Sequence, residues 1–362
     1  MKPAQIYAVM VKELRQMARD RMTLAMMIGI PTLQLLLFGY AINVDVRHLP
    51  AAVADLANTT GSRALVRDML ATEVIEPVAA ARTPEQIQAL IRAGRIEVGL
   101  VVPADFERRL SEGREVMQVI VDGADISVQA AARQLAQMPL DGRLSSALAG
   151  ARISVLPLYN PQRQSAINVV PGLIGVILTM TLVMFTAMAI VRERERGNLE
   201  MLITTPVSSA ELMLGKVLPY IAVGLVQATL ILVLGSWLFA VPVAGGLWPV
   251  YAVSMLLIVA NLSLGLLIST VAQSQFQAMQ MTFFLFLPSI LLSGFMFPFD
   301  GMPWPAQWLA EILPLTHFMR LIRGVMLRGA ALTELWQDAL ALAVFSAAMM
   351  TLAILRFRKR LD

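Results

Sequence analysis

A run of alternating charge between two long apolar segments is the stretch of this chain best suited to recognition. Arg192, Glu193, Arg194, Glu195 and Arg196 follow one another directly, and a glycine comes next. Basic residues alone are enough to orient a membrane helix, whereas a surface of both charge signs is typical of protein recognition. We therefore predict a docking surface for a partner protein. The plainer alternative is a solvated helix end.

The charged run continues into a predicted hairpin over residues 192–216. Ser208-Ser209-Ala210-Glu211 is a capping box, so we expect a helix to begin there and to enter the next apolar segment. The positions assigned to this hairpin as partner contacts are Arg192, Glu193, Arg194, Glu195, Gly197, Glu200, Thr205, Pro206 and Glu211.

A second polar group lies in a proline-rich, apolar region over residues 298–334. Its members are Glu311, His317, Arg320 and Arg323. Together these groups could form an outer gate or bind the headgroup of a transported molecule. The plainer interpretation is that long polar side chains reach the membrane surface from interfacial or re-entrant helices.

Several common kinds of functional site are absent from the sequence. The chain has no Cys, which excludes a thiolate metal site and a disulfide framework. Gly215-Lys216 is followed by Val217, and no GxxxxGK[ST] loop for ATP exists. Asp122-Gly123-Ala124-Asp125 lacks the further ligands of a calcium loop and is predicted to be a turn. We predict no catalytic residues, no metal, no cofactor and no nucleic-acid surface, and hence not an enzyme.

The composition places the chain in a membrane. Its 362 residues are 57% hydrophobic and only 15% charged, with a mean hydropathy of +0.68. Soluble domains carry about 25% charged residues. Six apolar runs reach the roughly 20 residues that a bilayer core requires. These runs cover residues 22–42, 167–191, 217–240, 247–271, 277–297 and 336–355.

Basic residues dominate both ends of the chain. Five precede the first apolar run and four lie in the tail 356–362. The positive-inside rule therefore predicts cytoplasmic termini, a cytoplasmic hairpin 192–216 and residues 45–165 on the opposite side. Residues 1–21 place apolar and basic side chains on opposite faces, which is typical of an amphipathic helix at the membrane surface.

Residues 45–165 are predicted to form an inserted α/β domain, because strand-like and helix-like runs alternate along them. Thr83-Pro84 is a helix start within it, with Thr83 as the cap and Pro84 in the first turn. The predicted fold is thus an α-helical integral membrane protein with six transmembrane helices and one extracytoplasmic α/β domain.

Two other classes of function compete with partner-driven transport. A self-powered secondary carrier usually places carboxylates at membrane depth, and we expect none in the six runs. A membrane-anchored receptor or assembly scaffold could use the domain 45–165 to bind a ligand.

The chain resembles the ABC-2-type permeases of bacterial ABC exporters, in the branch with a large periplasmic domain between spans one and two. The likeness extends over essentially the whole sequence. The segments that carry it are Tyr159-Asn160-Pro161, Pro171-Gly172-Leu173-Ile174-Gly175, Ala189-Ile190-Val191-Arg192-Glu193-Arg194-Glu195 with Gly197 and Glu200, Thr205-Pro206, and Glu211-Leu212-Met213-Leu214-Gly215-Lys216.

The resemblance implies several properties of the chain. Residues 1–21 would be a cytoplasmic connecting helix, and the hairpin would carry the coupling helix that contacts a separate ATPase subunit. Two permeases, identical or related, would face each other in the bacterial inner membrane, surrounded by lipid. A periplasmic adaptor protein often accompanies this branch, whose relatives are assigned to export of drugs or small amphiphiles.

Overall fold

The computed structural model describes residues 48–137, 152–161, 164–196, 209–299 and 301–356. The first predicted span, the N-terminal amphipathic segment and the middle of the charged hairpin lie outside these residues. Within them, an α/β domain precedes a bundle of long apolar helices.

The α/β domain is a five-stranded mixed sheet with helices on both faces. The strands lie in the order β2-β1-β3-β4-β5, and only the β3–β4 pair is antiparallel. The strands are β1 (Leu49–Asp55), β2 (Ile75–Ala80), β3 (Val98–Val102), β4 (Glu115–Asp122) and β5 (Arg152–Leu158). The helices are α1 (Thr60–Leu70), α2 (Pro84–Arg92), α3 (Phe106–Ser111) and α4 (Ile126–Gln137).

Alternation of side chains along the strands separates two small cores. One face buries Leu100 and Val119 with residues of α1, α3 and α4, whereas the other buries Val101 and Ile120 with α2. The predicted start of α2 is confirmed: Thr83 caps the helix by accepting a hydrogen bond from the N–H of Gln86, and Pro84 occupies the first turn.

Asn160 joins the α/β domain to the first long helix of the bundle. Its buried side chain accepts a hydrogen bond from the N–H of Gln164 at 2.9 Å and lies 3.4 Å from Asn168. The segment Tyr159-Asn160-Pro161 that carried part of the family resemblance therefore shapes the entry into this helix.

Five of the described helices are long and apolar enough to cross a membrane. These helices are α5 (Ser165–Glu195), α6 (Ser209–Phe239), α7 (Leu247–Val271), α8 (Gln275–Leu292) and α11 (Trp336–Arg356). Helix α8 ends before position 297, the expected end of its apolar run. A left-handed glycine at 294 and Pro298 follow it, and both disfavour a continued helix.

Helix α7 lies at the centre of the bundle, where it contacts both α5 and α11. Polar groups link the helices: the buried amide of Asn261 donates to the hydroxyl of Thr179 at 3.1 Å, and the half-buried Thr181 donates to Gln227 at 3.0 Å. Such hydrogen bonds hold helices together where no water competes. By contrast, α6 and α11 leave broad apolar faces exposed.

Three shorter helical segments close one end of the bundle: α9 (Trp304–Ile312), α10 (Pro314–Arg323) and a π-helix (Gly324–Arg328). Helix α10 is largely buried against α5, α7 and α11. The wide π turn is held from outside, because the carbonyls of Met326 and Val325 accept hydrogen bonds from the N–H groups of Ala244 and Gly245.

The expectation that no predicted span contains a carboxylate is wrong. Asp338 lies within the run 336–355, in the first turn of α11. Asp338 is so close to the start of the helix that the residues after it still form an apolar stretch of 18 residues. The apolar run therefore gave no indication of the carboxylate.

Candidate functional site

The charged run forms the last turn of α5 and packs against the turn between α7 and α8. Both carboxylate oxygens of Glu195 accept hydrogen bonds from Gln275, one from its N–H at 2.9 Å and one from its side-chain amide at 2.5 Å. Arg194 donates to the carbonyl of Ala272 at 2.9 Å, and Arg192 lies 3.3 Å from Gln275. Three long helices are therefore joined at this end.

The Glu195 carboxylate also lies at the N-terminus of α8, since Gln275 is the first residue of that helix. A negative charge there interacts favourably with the unpaired N–H groups of the first turn. Ser274 caps the same helix by accepting from the N–H of Gln277. Gln275 was not singled out from the sequence; the nearby Ser274 cap is the only local signal for it.

Of the remaining hairpin positions, Glu193 lies in the last turn of α5 and is half-buried. Gly197, Glu200, Thr205 and Pro206 lie outside the described residues, and the side chain of Glu211 is likewise not described. Their role as partner contacts stays a prediction.

At the other end of the bundle, the structure unites three of the four predicted gate residues around Asp338. His317 Nδ1 lies 2.8 Å from the Asp338 carboxylate, and Nε2 lies 2.9 Å from the carbonyl oxygen of Glu311. Arg320 contacts the carboxylates of both Glu311 and Asp338. Its guanidinium also stacks 4.4 Å from the ring centre of Phe299.

Both ring nitrogens of His317 face oxygen acceptors, so the doubly protonated imidazolium satisfies both contacts. Burial of the ring opposes protonation. The hydrogen bonds to Asp338 and Glu311 outweigh burial, and the pKa of His317 is raised above its usual 6.5. The group is therefore a connected charge cluster in which His317 and Asp338 are largely buried, whereas Glu311 and part of Arg320 remain exposed.

The fourth predicted gate residue, Arg323, instead contacts the α/β domain. Its guanidinium donates to Asp125 at 2.8 Å, and both side chains are at least four-fifths buried. Two more charge pairs join the same parts: Arg328 with Asp122 at 3.5 Å, and Arg92 with Glu334 at 3.3 Å. Burial raises the pKa of Asp122, and the nearby Arg328 opposes that rise.

The sequence interpretation missed Arg328, Asp338 and the second role of the Asp122–Asp125 turn. The turn was predicted from its residues, and it does connect β4 to α4. Its contact with a residue about 200 positions away has no local signal. Within the described residues, no group of three or more potential metal ligands occurs.

Comparison with known proteins agrees with these features. The family model described as ABC-2 family transporter protein matches residues 21–355. The chain is 30% identical to "Probable multidrug ABC transporter permease YbhR" of Escherichia coli (strain K12), with 98% of this chain and 99% of the relative covered. It is 29% identical to YbhS, which carries the same description in that strain, over 99% of this chain and 98% of the relative.

A third relative, "Inner membrane transport permease YhhJ" of Escherichia coli (strain K12), is 28% identical over 98% of this chain and 97% of its own length. All three matches run from end to end, so they include the α/β domain as well as the apolar helices. Together with the five apolar helices, they show that this chain belongs to the ABC-2 family of transporter permeases.

Proposed function

We propose that this chain is the membrane-spanning subunit of an ATP-driven exporter that moves a drug-like or amphiphilic small molecule outward. A separate ABC ATPase subunit would hydrolyse the ATP. The observation that carries the proposal is the hydrogen-bonded junction of Glu195, Arg194 and Gln275. It ties the charged end of α5 to the α7–α8 turn, so a force on the adjoining hairpin reaches three helices at once.

Helix α5 has 31 residues and extends roughly 45 Å at 1.5 Å per residue. It therefore connects the charged junction to the end of the bundle that holds the His317 cluster. Binding of the ATPase can favour one arrangement of the helices only if its affinity for the two arrangements differs. Contact with the hairpin at residues 192–216 would supply that difference.

The proposed assembly places the α/β domain in the periplasm and both termini in the cytoplasm of a bacterial inner membrane. The exposed apolar faces of α6 and α11 would contact lipid and a second permease, identical or related. The exposed surface of the α/β domain is the part available to a periplasmic adaptor.

Transport by the reconstituted complex tests this function. Vesicles containing the permease and its ATPase should accumulate a fluorescent amphiphilic dye in an ATP-dependent manner, and a panel of amphiphiles should stimulate ATP hydrolysis. A catalytically inactive ATPase is the matched control. ATP-independent accumulation driven by a proton gradient would instead indicate a secondary carrier.

Single cysteines test the topology, since the native chain has none. Ser111 is exposed on the α/β domain, and Gln273 is exposed in the α7–α8 turn. A membrane-impermeant maleimide added to intact spheroplasts should label Ser111→Cys but not Gln273→Cys. The opposite pattern would reverse the proposed orientation.

A further inference from the structure

A cavity of about 550 Å³ lies between the α/β domain and the end of the helical bundle. The domain contributes Arg95, Glu97 and the Asp122–Asp125 turn to its wall. The bundle contributes three arginines and two aromatic side chains, namely Arg320, Arg323, Arg328, Phe299 and Trp336. The cavity is therefore bounded by charge on several sides and lies where the bundle meets the domain.

The π-helix places Arg328 in this wall. In a regular α-helix, Arg328 would point about 80° away from Arg320, because eight residues exceed two turns. The wider turn over Gly324–Arg328 brings it back, and its guanidinium reaches the carbonyl of Arg320 at 3.5 Å. Gly94 makes room opposite, since a Cβ there would lie 2.8 Å from the Arg328 guanidinium. π turns often occur at functional sites.

The arginines are incompletely satisfied by the described residues. The side chain of Arg328 is only 9% exposed, yet its contacts with Asp122, Ile91 and Arg320 are all between 3.3 and 3.5 Å. The Nε atoms of Arg323 and Arg328 are buried without a hydrogen-bond partner. Arg95 is exposed and lines the cavity, and no ion pair of its side chain occurs within the described part of the chain.

Four of the five acidic residues that line the cavity form ion pairs with basic side chains: Asp122 with Arg328, Asp125 with Arg323, Asp338 with His317, and Glu334 with Arg92. Glu97 is the fifth. The donors that remain are guanidinium N–H groups, which are well suited to planar or tetrahedral oxyanions. Phe299 and Trp336 supply an apolar surface beside them.

We propose that this cavity binds the oxyanion head, phosphate or carboxylate, of an amphiphilic molecule, with Arg95, Arg323 and Arg328 as its ligands. Such a molecule could be an exported substrate or a resident lipid, and the shared recognition chemistry is the oxyanion. Binding at this site requires only the permease. Its test is therefore independent of the ATPase coupling proposed above.

Binding to the full-length permease in phosphatidylcholine nanodiscs tests the site. Three probes separate head from tail: octyl phosphate, octanol with the same tail, and inorganic phosphate with the same head. Arg95→Gln removes a cation that holds no ion pair in the described structure, so the fold should persist. Arg328→Gln is the second variant. Arg82→Gln is the matched control, because Arg82 is exposed on the same domain and does not line the cavity.

Octyl phosphate should bind saturably, and both cavity variants should weaken it about tenfold, as expected for loss of one charge-assisted contact. Arg82→Gln should bind like the wild type. Equal binding of inorganic phosphate would identify a free oxyanion as sufficient, whereas binding of octyl phosphate alone would identify an amphiphile. An anionic lipid that copurifies with the wild type but not with Arg95→Gln would identify a resident lipid.

Two results would overturn the site. One is equal binding of octanol and octyl phosphate. The other is a wild-type permease that binds neither octyl phosphate nor inorganic phosphate saturably and that carries no copurified anionic lipid.

Discussion

His317 shows how a single side chain can link the stability of the bundle to pH. Its imidazolium lies between Asp338 and the carbonyl of Glu311, so folding favours the protonated form. The pKa of His317 in the folded protein is raised above its usual 6.5. The stabilisation it provides is therefore complete below about pH 6.5 and is lost as the pH rises through the folded-state pKa.

We predict that His317→Gln flattens the pH dependence of thermal unfolding. Between about pH 6 and pH 8.5, the unfolding midpoint of the wild type should fall more steeply than that of the variant. Intrinsic fluorescence in detergent measures this midpoint. His48→Asn is the control, because His48 is exposed, and Asn tolerates its left-handed backbone. Parallel curves for wild type and His317→Gln would contradict the charged imidazolium.

Residue types identified part of this cluster from the sequence but not its centre. Glu311, His317 and Arg320 stand out because polar groups are rare in the surrounding apolar stretch. Asp338 was hidden in an apolar run, and Arg328 follows one. Asp338 reaches the cluster because α11 packs against α10, and Arg328 reaches Arg320 because of the π turn. Neither tertiary feature has a local sequence pattern.

At the scale of elements, the π-helix depends on a loop distant in sequence. The sequence predicts interfacial or re-entrant helices within residues 298–334 but gives no signal for the change from α-helix to π-helix at Gly324. Hydrogen bonds from Ala244 and Gly245 satisfy carbonyls that the wider turn displaces. Helix α7, in contrast, has the bounds of its predicted apolar run, residues 247–271. A hydrophobic segment of that length can be identified from the sequence alone.

We predict that Gly245→Ala destabilises the π turn. A Cβ at Gly245 would lie 2.5 Å from the carbonyl oxygen of Val325, so the loop must move away and lose its hydrogen bond. Overpacking and the lost hydrogen bond together should cost about 2–4 kcal/mol in the free energy of unfolding. Gly113→Ala, at an open left-handed glycine, is the control and should cost only about 1 kcal/mol. Equal costs would show that the loop adapts without strain.

The junction of α5 with α8 gives a second prediction for elements. Glu195→Ala and Gln275→Ala should each reduce ATP-dependent transport several-fold while the ATPase stays bound, because both remove the same link. The double variant should be no worse than either single one. Gln273→Ala, on the exposed side of the same turn, should transport normally. Additive losses would indicate that the two residues act independently.

Glu200→Ala should behave differently if the hairpin contacts the ATPase directly. This variant should lower the affinity of the permease for the ATPase, whereas Glu195→Ala should not, since Glu195 is bound to Gln275. Pull-down with purified subunits distinguishes the two. If Glu195→Ala loses ATPase binding and Glu200→Ala does not, then Glu195 rather than Glu200 contacts the ATPase.

At the scale of the whole molecule, the α/β domain and the bundle act as one body only if their charge pairs hold. Arg323 and Asp125 form the shortest of these contacts, at 2.8 Å, and their side chains are only 15% and 17% exposed. Separating such a pair leaves a poorly solvated charge on each side. The sequence predicted both parts from alternating and apolar patterns, but not this contact.

We predict that reversing either charge weakens the attachment of the domain and that reversing both restores it. Asp125→Arg and Arg323→Asp should each destabilise the permease by about 2–4 kcal/mol, because like charges then face each other in a partly buried site. The double variant should recover most of that loss, which a denaturant titration in detergent can measure. The exposed pair Arg114–Glu112 offers a control, since its reversal should change stability by less than about 1 kcal/mol. If the double charge reversal is as unstable as the sum of the single changes, the pair does not hold the domain to the bundle.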